Sequence, residues 1–525
     1  MRPPPSPPLL TDPGLRAAYS EGAGIYRIVP QAVAIPRSVS ELQDLVRWAA
    51  DASATLIPRG AGSGMPGGSV GAGVVVDCSG FKGVEVDSGR RLARVGAGVT
   101  WKDVNDAAGE AGLRLPPDPS SGGFATSGGM VSTNAAGPRS VRSGSVRRWI
   151  ESVDIVTSSG EARTVRRGEG PGPLRTRFES LVRAAGRFPK TRKNSSGYAL
   201  DEFAQSRDEL DLLIGSEGTL AFVTGVEWRL EPLPKEVAGV ALGFGDLDDL
   251  GDAVPFLLSL DPSAVELLDR TLLSFVQAPG LPSDLACLLL VEFERPTPAA
   301  ARGVVGDAVR GLEGRTRHVR TAVDPRGLAE LWSVRRLASP ALARLPETRR
   351  SLQVIEDGCV PLERLGAYVG GVRACAERLG LEITVFGHAG DGHVHVNALP
   401  DLTGPDWRER LSTLYEEVTD LLVHLGGTPS GEHGDGRLRA GILPRVFGPE
   451  VMRSFSDVKA VYDPAGTMNP GVIIPTAGWS PISHLKVGPD AAPIPSEIAG
   501  KLRRIEREAG WNVPKSSLAT LTSDP

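Results

Sequence analysis

From residue 38 the apolar positions fall into a helical rhythm. Leu42, Leu45, Val46 and Ala49 recur at three- and four-residue spacing, which predicts an amphipathic helix over 38–51. Ser38 and Glu41 stand where a capping box puts its serine and its glutamate. The run Thr55-Leu56-Ile57-Pro58 then predicts a strand, and Val74-Val75-Val76-Asp77 another. Between them lies Arg59-Gly60-Ala61-Gly62-Ser63-Gly64-Met65-Pro66-Gly67-Gly68. This glycine-rich loop joins strand to strand and opens no helix, which argues against a Rossmann dinucleotide turn. A second glycine-rich stretch covers 116–137, and shorter ones follow at Lys193-Asn194-Ser195-Ser196-Gly197-Tyr198 and Gly215-Ser216-Glu217-Gly218-Thr219-Leu220.

At Glu231-Pro232-Leu233-Pro234 the texture changes, and a domain boundary is expected there. Beyond it, strand-like runs (287–293 and 383–386) alternate with amphipathic helical patterns (about 362–379 and 406–425). That mixture predicts an α+β unit with an antiparallel sheet. Residues 1–24, rich in proline, read as a flexible lead. Residues 476–525 read as a tail or linker. The expected units are therefore 25–234 and 235–475, with a loose segment at each end.

Composition narrows the class. With 525 residues, 41% hydrophobic and 23% charged, the chain is globular and large enough for more than one core. A formal charge of −5 and only 5% aromatic residues argue against a nucleic-acid surface. Cys78, Cys287, Cys359 and Cys375 form no CxxC. This excludes an iron–sulfur or cysteine-zinc site within the chain and suggests a reducing compartment. No signal-peptide pattern and no apolar run of membrane-spanning length is present, so a cytoplasmic protein is expected, at a membrane only through a partner.

Two constellations carry chemistry. Successive amides in a glycine loop can converge on a phosphate, because no Cβ blocks the approach. Residues 59–64 could form such a nest, or merely a tight turn. The second constellation is made of histidines: of seven in the chain, His388, His393, His395 and His433 fall within one stretch. The glycines at 387, 390 and 392 make a turn, after which 393–397 alternates as a strand. His393, His395 and Asn397 then share one face, with Val394 and Val396 on the other. Imidazoles beside a carboxylate such as Glu432 suit a divalent metal, although solvated loop histidines would read the same way. The pair Arg335-Arg336 on a predicted helix suits an exposed face equally well.

At this point the chain resembles a known family. PRSVSEL, PRGAGSGMPGG, PPDPSSGGFATSGGMVSTNAAG and GSEGTL, in that order, look like the FAD-binding domain of the vanillyl-alcohol oxidase / p-cresol methylhydroxylase superfamily. The nearest likeness is to the FAD subunits of glycolate oxidase, D-lactate dehydrogenase and D-2-hydroxyglutarate dehydrogenase. The resemblance implies a PCMH-type FAD-binding domain and a FAD-linked oxidase C-terminal domain with a ferredoxin-like antiparallel sheet. It places the cofactor's pyrophosphate on the amides of Gly60, Ala61, Gly62, Ser63 and Gly64 beside Arg59. Asp118, Pro119, Ser120, Gly128, Gly129, Thr133 and Asn134 would line the rest of the dinucleotide, with Glu217, Gly218 and Asn469 near the flavin. The first loop lacks histidine, so the FAD would be non-covalent.

The resemblance also implies that His388, His395 and Glu432 bind a divalent metal: zinc or manganese, with iron as a further option. His433 would be the catalytic base, Arg335 the clamp on a substrate carboxylate, and Asn397 a substrate contact. His393 stands where relatives often carry Asn, so it replaces, joins or flanks the ligands. The implied reaction oxidises a small 2-hydroxy acid, of the D-lactate, glycolate or D-2-hydroxyglutarate class, by hydride transfer to flavin N5. Electrons would pass to an iron–sulfur partner subunit or fused domain and on to quinone or cytochrome, and a homodimer is compatible. Three alternatives stay open: a flavin-dependent alkyl-transfer synthase, a metal-dependent hydrolase without flavin, and a non-catalytic electron-relay flavoprotein.

Overall fold

The computed structural model describes residues 6–276 and 280–519. Residues 1–5 of the expected lead and 520–525 of the expected tail lie outside them. The periodic segments form the elements their patterns predict. Val39–Ala52 is a helix that buries Leu42, Leu45, Val46 and Ala49. Its Ser38 hydroxyl accepts from the Glu41 amide at 3.2 Å. The glutamate does not close the capping box, because its Oε2 accepts from the Arg37 amide at 2.7 Å, one residue upstream. Within the second glycine-rich stretch, Ser127–Thr133 is helical and capped by Thr126.

Three larger sheets organise the chain. Ala32–Ala34, Val74–Asp77 and Leu56–Arg59 pair in parallel in that order, so the first glycine loop bridges adjacent parallel strands. A five-stranded antiparallel sheet runs Val84–Asp87, Leu92–Gly96, Ala221–Arg229, Ile150–Thr157, Ala162–Arg166. The seven-stranded antiparallel sheet of the second unit runs Thr316–Ala322, Glu236–Phe244, Cys287–Arg295, Ala264–Asp269, Ile383–Gly387, His393–Ala398, Gly358–Cys359. Alternation along its strands feeds two cores. Val240 and Leu242 face a large cluster under the helices Leu250–Ser259, Pro298–Gly311, Leu365–Arg378 and Trp407–His424. Ala241, Leu288 and Leu290 face a smaller one with Leu331, Ala338 and Leu342. After the second sheet, Phe447, Phe455, Val472 and Ile473 return the chain to the core of the first unit.

The termini depart from expectation. Pro13–Ala18 is a helix capped by Asp12, and Ser496–Glu508 is another. Leu15, Ala17, Ala18 and Tyr19 bury themselves against Ile498, Leu502, Ile505, Trp511 and Leu518. Neither segment is a free lead or linker over its described residues. Each terminus supplies half of one apolar cluster, and neither half is large enough to be read alone. Among the described residues, no helix is long and apolar enough to cross a membrane.

Candidate active site

A cavity of about 1200 Å³ is lined by both units, with Gly62 and His395 on its walls. Residues 59–64, 118–120, Gly128, Gly129, Thr133, Glu217 and Gly218 line it. The glycine loop fits the cradle of a close-approaching ligand. A Cβ on Gly60 would stand 2.3 Å from Thr126 Oγ1, and Gly62 holds φ +78°, where a Cβ would strike the Arg59 guanidinium at 2.4 Å. Arg59 braces this loop from behind: its guanidinium is buried and donates to the carbonyls of Tyr19 (3.1 Å) and Glu21 (2.7 Å).

Several expected cofactor contacts have other tasks. The Asp118 carboxylate accepts from the Arg139 amide (3.1 Å) and guanidinium (2.5 Å), and Arg139 continues to Glu292 at 2.6 and 2.8 Å. Glu217 accepts from the amides of Asp435 (2.7 Å) and Gly436 (3.0 Å). Burial, then the neighbouring Asp435, pushes it up to about 8. Asn134 and Asn469 are not on the cavity wall. Both hold left-handed backbone, with φ 51° and 45°. Asn134 ends the helix Ser127–Thr133, and its side chain accepts from the Arg147 amide at 3.3 Å. The Asn469 amide donates to the carbonyls of Gly68 and Glu217 at 2.9 Å each. Short amide side chains tolerate that backbone and bond locally, which gives these asparagines a structural role.

The histidines converge at the other end of the cavity. The strand Ile383–Gly387 turns through 389–391 into His393–Ala398, with Phe386 opposite His395. Val394 and Val396 enter the helix-covered core, while His395 and Asn397 face the cavity. His388 Nε2 lies 2.9 Å from Glu432 Oε1 and 3.4 Å from His395 Nε2. The third edge, from His395 Nε2 to Glu432 Oε1, is also 3.4 Å. The remaining ring nitrogens are anchored: His388 Nδ1 on Glu266 at 2.6 Å, and His395 Nδ1 on the Glu356 carbonyl at 3.0 Å. Two imidazoles with anchored second nitrogens and a carboxylate form a donor set suited to a divalent cation. His393 lies in the same group, but Asp357 holds its Nε2 at 2.8 Å and its buried Nδ1 has no partner among the described residues. Burial pushes His393 down to about 3.

His433 stacks on His395 with ring centres 5.0 Å apart, and its Nδ1 meets Glu356 Oε2 at 2.7 Å. Burial disfavours its cation, but Asp357 and Glu356 outweigh that and raise it to about 10. Arg335 is buried on the cavity wall, over the Phe386 ring at 4.9 Å, with Nε donating to Glu266 at 2.9 Å. Its neighbour Arg336 is exposed and caps the Ala329 carbonyl.

Four organising residues escaped the sequence reading. Glu266 joins His388 to Arg335. Glu356 joins His433 to Arg439. Asp357 accepts from Ser430, from the amides of Glu432 and His433, and from His393. Lys193, from the first unit, donates to Glu432 Oε2 at 2.6 Å inside the protein. Glu266 carried one signal, an acid in the middle of the apolar run Ala264–Leu268.

Comparison with known proteins agrees with this geometry. Residues 30–166 match the model of the FAD binding domain, and residues 233–473 that of the FAD linked oxidases, C-terminal domain. The chain is 29% identical over 446 residues to a D-lactate dehydrogenase of Archaeoglobus fulgidus, covering 84% of this chain and 90% of that protein. It is 28% identical over 465 residues to glycolate oxidase subunit GlcD of Bacillus subtilis, covering 87% and 92%. For a D-2-hydroxyglutarate dehydrogenase of Escherichia coli the identity is 28%, over 88% of this chain and 50% of the relative. Among solved structures, 4-ethylphenol oxidase from Gulosibacter chungangensis gives a TM-score of 0.65 at 16% identity, covering 89% and 94%. An alkyldihydroxyacetonephosphate synthase gives 0.61 at 18%, covering 88% and 82%. These last two likenesses establish the fold.

Proposed function

We infer, from a chain that matches the FAD binding domain over 30–166 and the C-terminal domain of FAD linked oxidases over 233–473, that it oxidises a small 2-hydroxy acid to the 2-oxo acid. The observation that carries this reading is the shared cavity: the glycine cradle lines the same space as His395 and Glu432, which His388 joins from behind the wall. The names of its relatives support the substrate class.

Bound FAD would rest against residues 59–64 and the 118–133 segment and would supply the two-electron acceptor. A divalent metal, zinc, manganese or iron, would be held by His388, His395 and Glu432 and would polarise the substrate hydroxyl. Arg335 offers its remaining guanidinium donors to the substrate carboxylate, its plane fixed by Glu266 and Phe386. With a divalent cation held beside it to oppose the carboxylates that raise it, His433 would stand unprotonated at Nε2 and receive the hydroxyl proton there, while Glu356 keeps the other proton on Nδ1 and steadies the imidazolium that results. Asn397, on the same wall, orients the substrate. The four cysteines stand as free single thiols, so we assign the onward electron transfer to a separate iron–sulfur partner or to quinone or cytochrome.

The test is an absorption spectrum before and after anaerobic addition of a hydroxy-acid panel. A yellow protein bleached by at least one member is expected; a colourless protein, or one that no member bleaches, rejects the reading. His433→Ala should retain the yellow cofactor and bleach at least about a hundredfold more slowly. Bleaching at the unaltered rate would remove His433 from the mechanism.

A further inference from the structure

The segment that follows the matched oxidase domain, which ends at residue 473, forms part of the cavity wall. Glu506, Ala509 and Trp511 line the space. They come from the end of the helix Ser496–Glu508 and the turn after it. This segment is tied to both units. Toward the second unit, Arg350 donates to Glu506 at 2.6 Å, Arg503 to Glu347 at 2.8 Å and Arg507 to Glu347 at 2.6 Å. Toward the first unit, Ile498, Leu502, Ile505, Trp511 and Leu518 pack with the N-terminal helix, with Ile57 and Val75, and with Phe124.

Trp511 belongs to the nucleotide end of the cavity. Ile57 and Val75 sit on the strands that flank the first glycine loop, and Phe124 lies in the second glycine-rich stretch. No histidine-bearing strand shares the cluster. The Trp511 ring is 7% exposed. Lys515 Nζ covers it at 5.1 Å, itself buried and donating to the Val513 carbonyl at 3.3 Å. An indole held between an apolar cluster and the Lys515 side chain has its position in the wall set. The part of the indole left toward the cavity is apolar area that a bound nucleotide can bury.

We propose that the C-terminal segment is a cofactor-retaining strap, with Trp511 a positioning wall for the dinucleotide end of FAD. The proposal rests on the flavin reading above. Its consequence is separable from catalysis: removing the indole opens the nucleotide end while leaving the histidine centre in place.

The experiment measures FAD release from the purified holoprotein, by the recovery of flavin fluorescence after dilution into buffer without FAD. Trp511→Ala should release FAD about tenfold faster or more, the order expected when a buried apolar contact with the ligand is lost, and Trp511→Phe should restore most of the retention. If Trp511→Ala does not fold, Trp511→Leu, which keeps an apolar group in the cluster, carries the same expectation. Wild-type protein that holds FAD while the folded variants release it at the wild-type rate overturns the strap alone. Wild-type protein that takes up no FAD overturns the flavin reading and the strap together.

Discussion

Glu266 is fully buried in an apolar strand, and its two oxygens serve different partners, His388 Nδ1 at 2.6 Å and Arg335 Nε at 2.9 Å. Burial disfavours its charge, yet His388 and Arg335 together hold it down at about 2. One carboxylate therefore orients a proposed metal ligand and the proposed substrate clamp. Glu266→Gln keeps the shape but loses the anion, so metal affinity should fall about 10- to 100-fold, as for other partners of ligating histidines. A chelator competition with metal analysis measures this, and unchanged affinity would separate Glu266 from the metal centre. The same residue shows why part of the site was illegible. His388, His393 and His395 announce themselves by lying close together in sequence. Glu266, Lys193 and Glu356 reach them only through strand order and domain docking, which no local pattern encodes. Asn134 and Asn469 show a second limit: left-handed backbone turns their side chains onto the protein itself, a set of partners that their motifs do not announce.

At the scale of elements, the helices and strands with strong periodicity were legible because each buries a face of its own. The helix Ser496–Glu508 was not, since its apolar positions find their partner at the far end of the chain. One joint between elements carries a pH signature. Asp269 ends the strand Ala264–Asp269, and its Oδ1 accepts from the Leu272 amide at 2.9 Å, capping the helix Arg270–Val276. Among the described residues its buried Oδ2 has no hydrogen-bond partner, and the nearest Arg373 nitrogen is 3.7 Å away. Burial raises Asp269 from 3.8 to about 7. Between those values the folded state keeps a proton that the unfolded chain has lost, so stability falls as pH rises and the full cost is present above about 7. Asp269→Asn keeps an oxygen for the cap and removes the titration. The variant should gain on the wild type by about 2–4 kcal/mol at pH 8 and show little difference at pH 4, as read from urea unfolding at the two pH values. A pH-independent difference would assign the effect to packing.

Across the whole molecule, the cavity exists because the two units are locked together by charge as well as by apolar contact. Arg139 of the first unit lies between Asp118 and Glu292, and over Trp332 at 5.2 Å. Glu292 also accepts from Trp332 Nε1 at 2.8 Å and from Ser263 at 3.1 Å. All four of Asp118, Arg139, Glu292 and Trp332 line the cavity, so this bridge sets how far apart the glycine cradle and the histidine centre stand. Removing Arg139 strands two carboxylates, and Glu292 is only 2% exposed. An unpaired buried charge costs more than the pair returns when intact, so Arg139→Ala should lose about 3–5 kcal/mol. Adding Glu292→Gln neutralises one stranded charge while keeping an acceptor for Trp332. The double variant should therefore be more stable than Arg139→Ala by about 1 kcal/mol or more. Denaturant unfolding of the single and double variants decides it. A double variant less stable than Arg139→Ala would mean that Glu292 stabilises the second unit through its own bonds to Trp332 and Ser263 and not through the bridge. The spacing of cradle and catalytic centre would then rest on other contacts between the units, Lys193 to Glu432 among them.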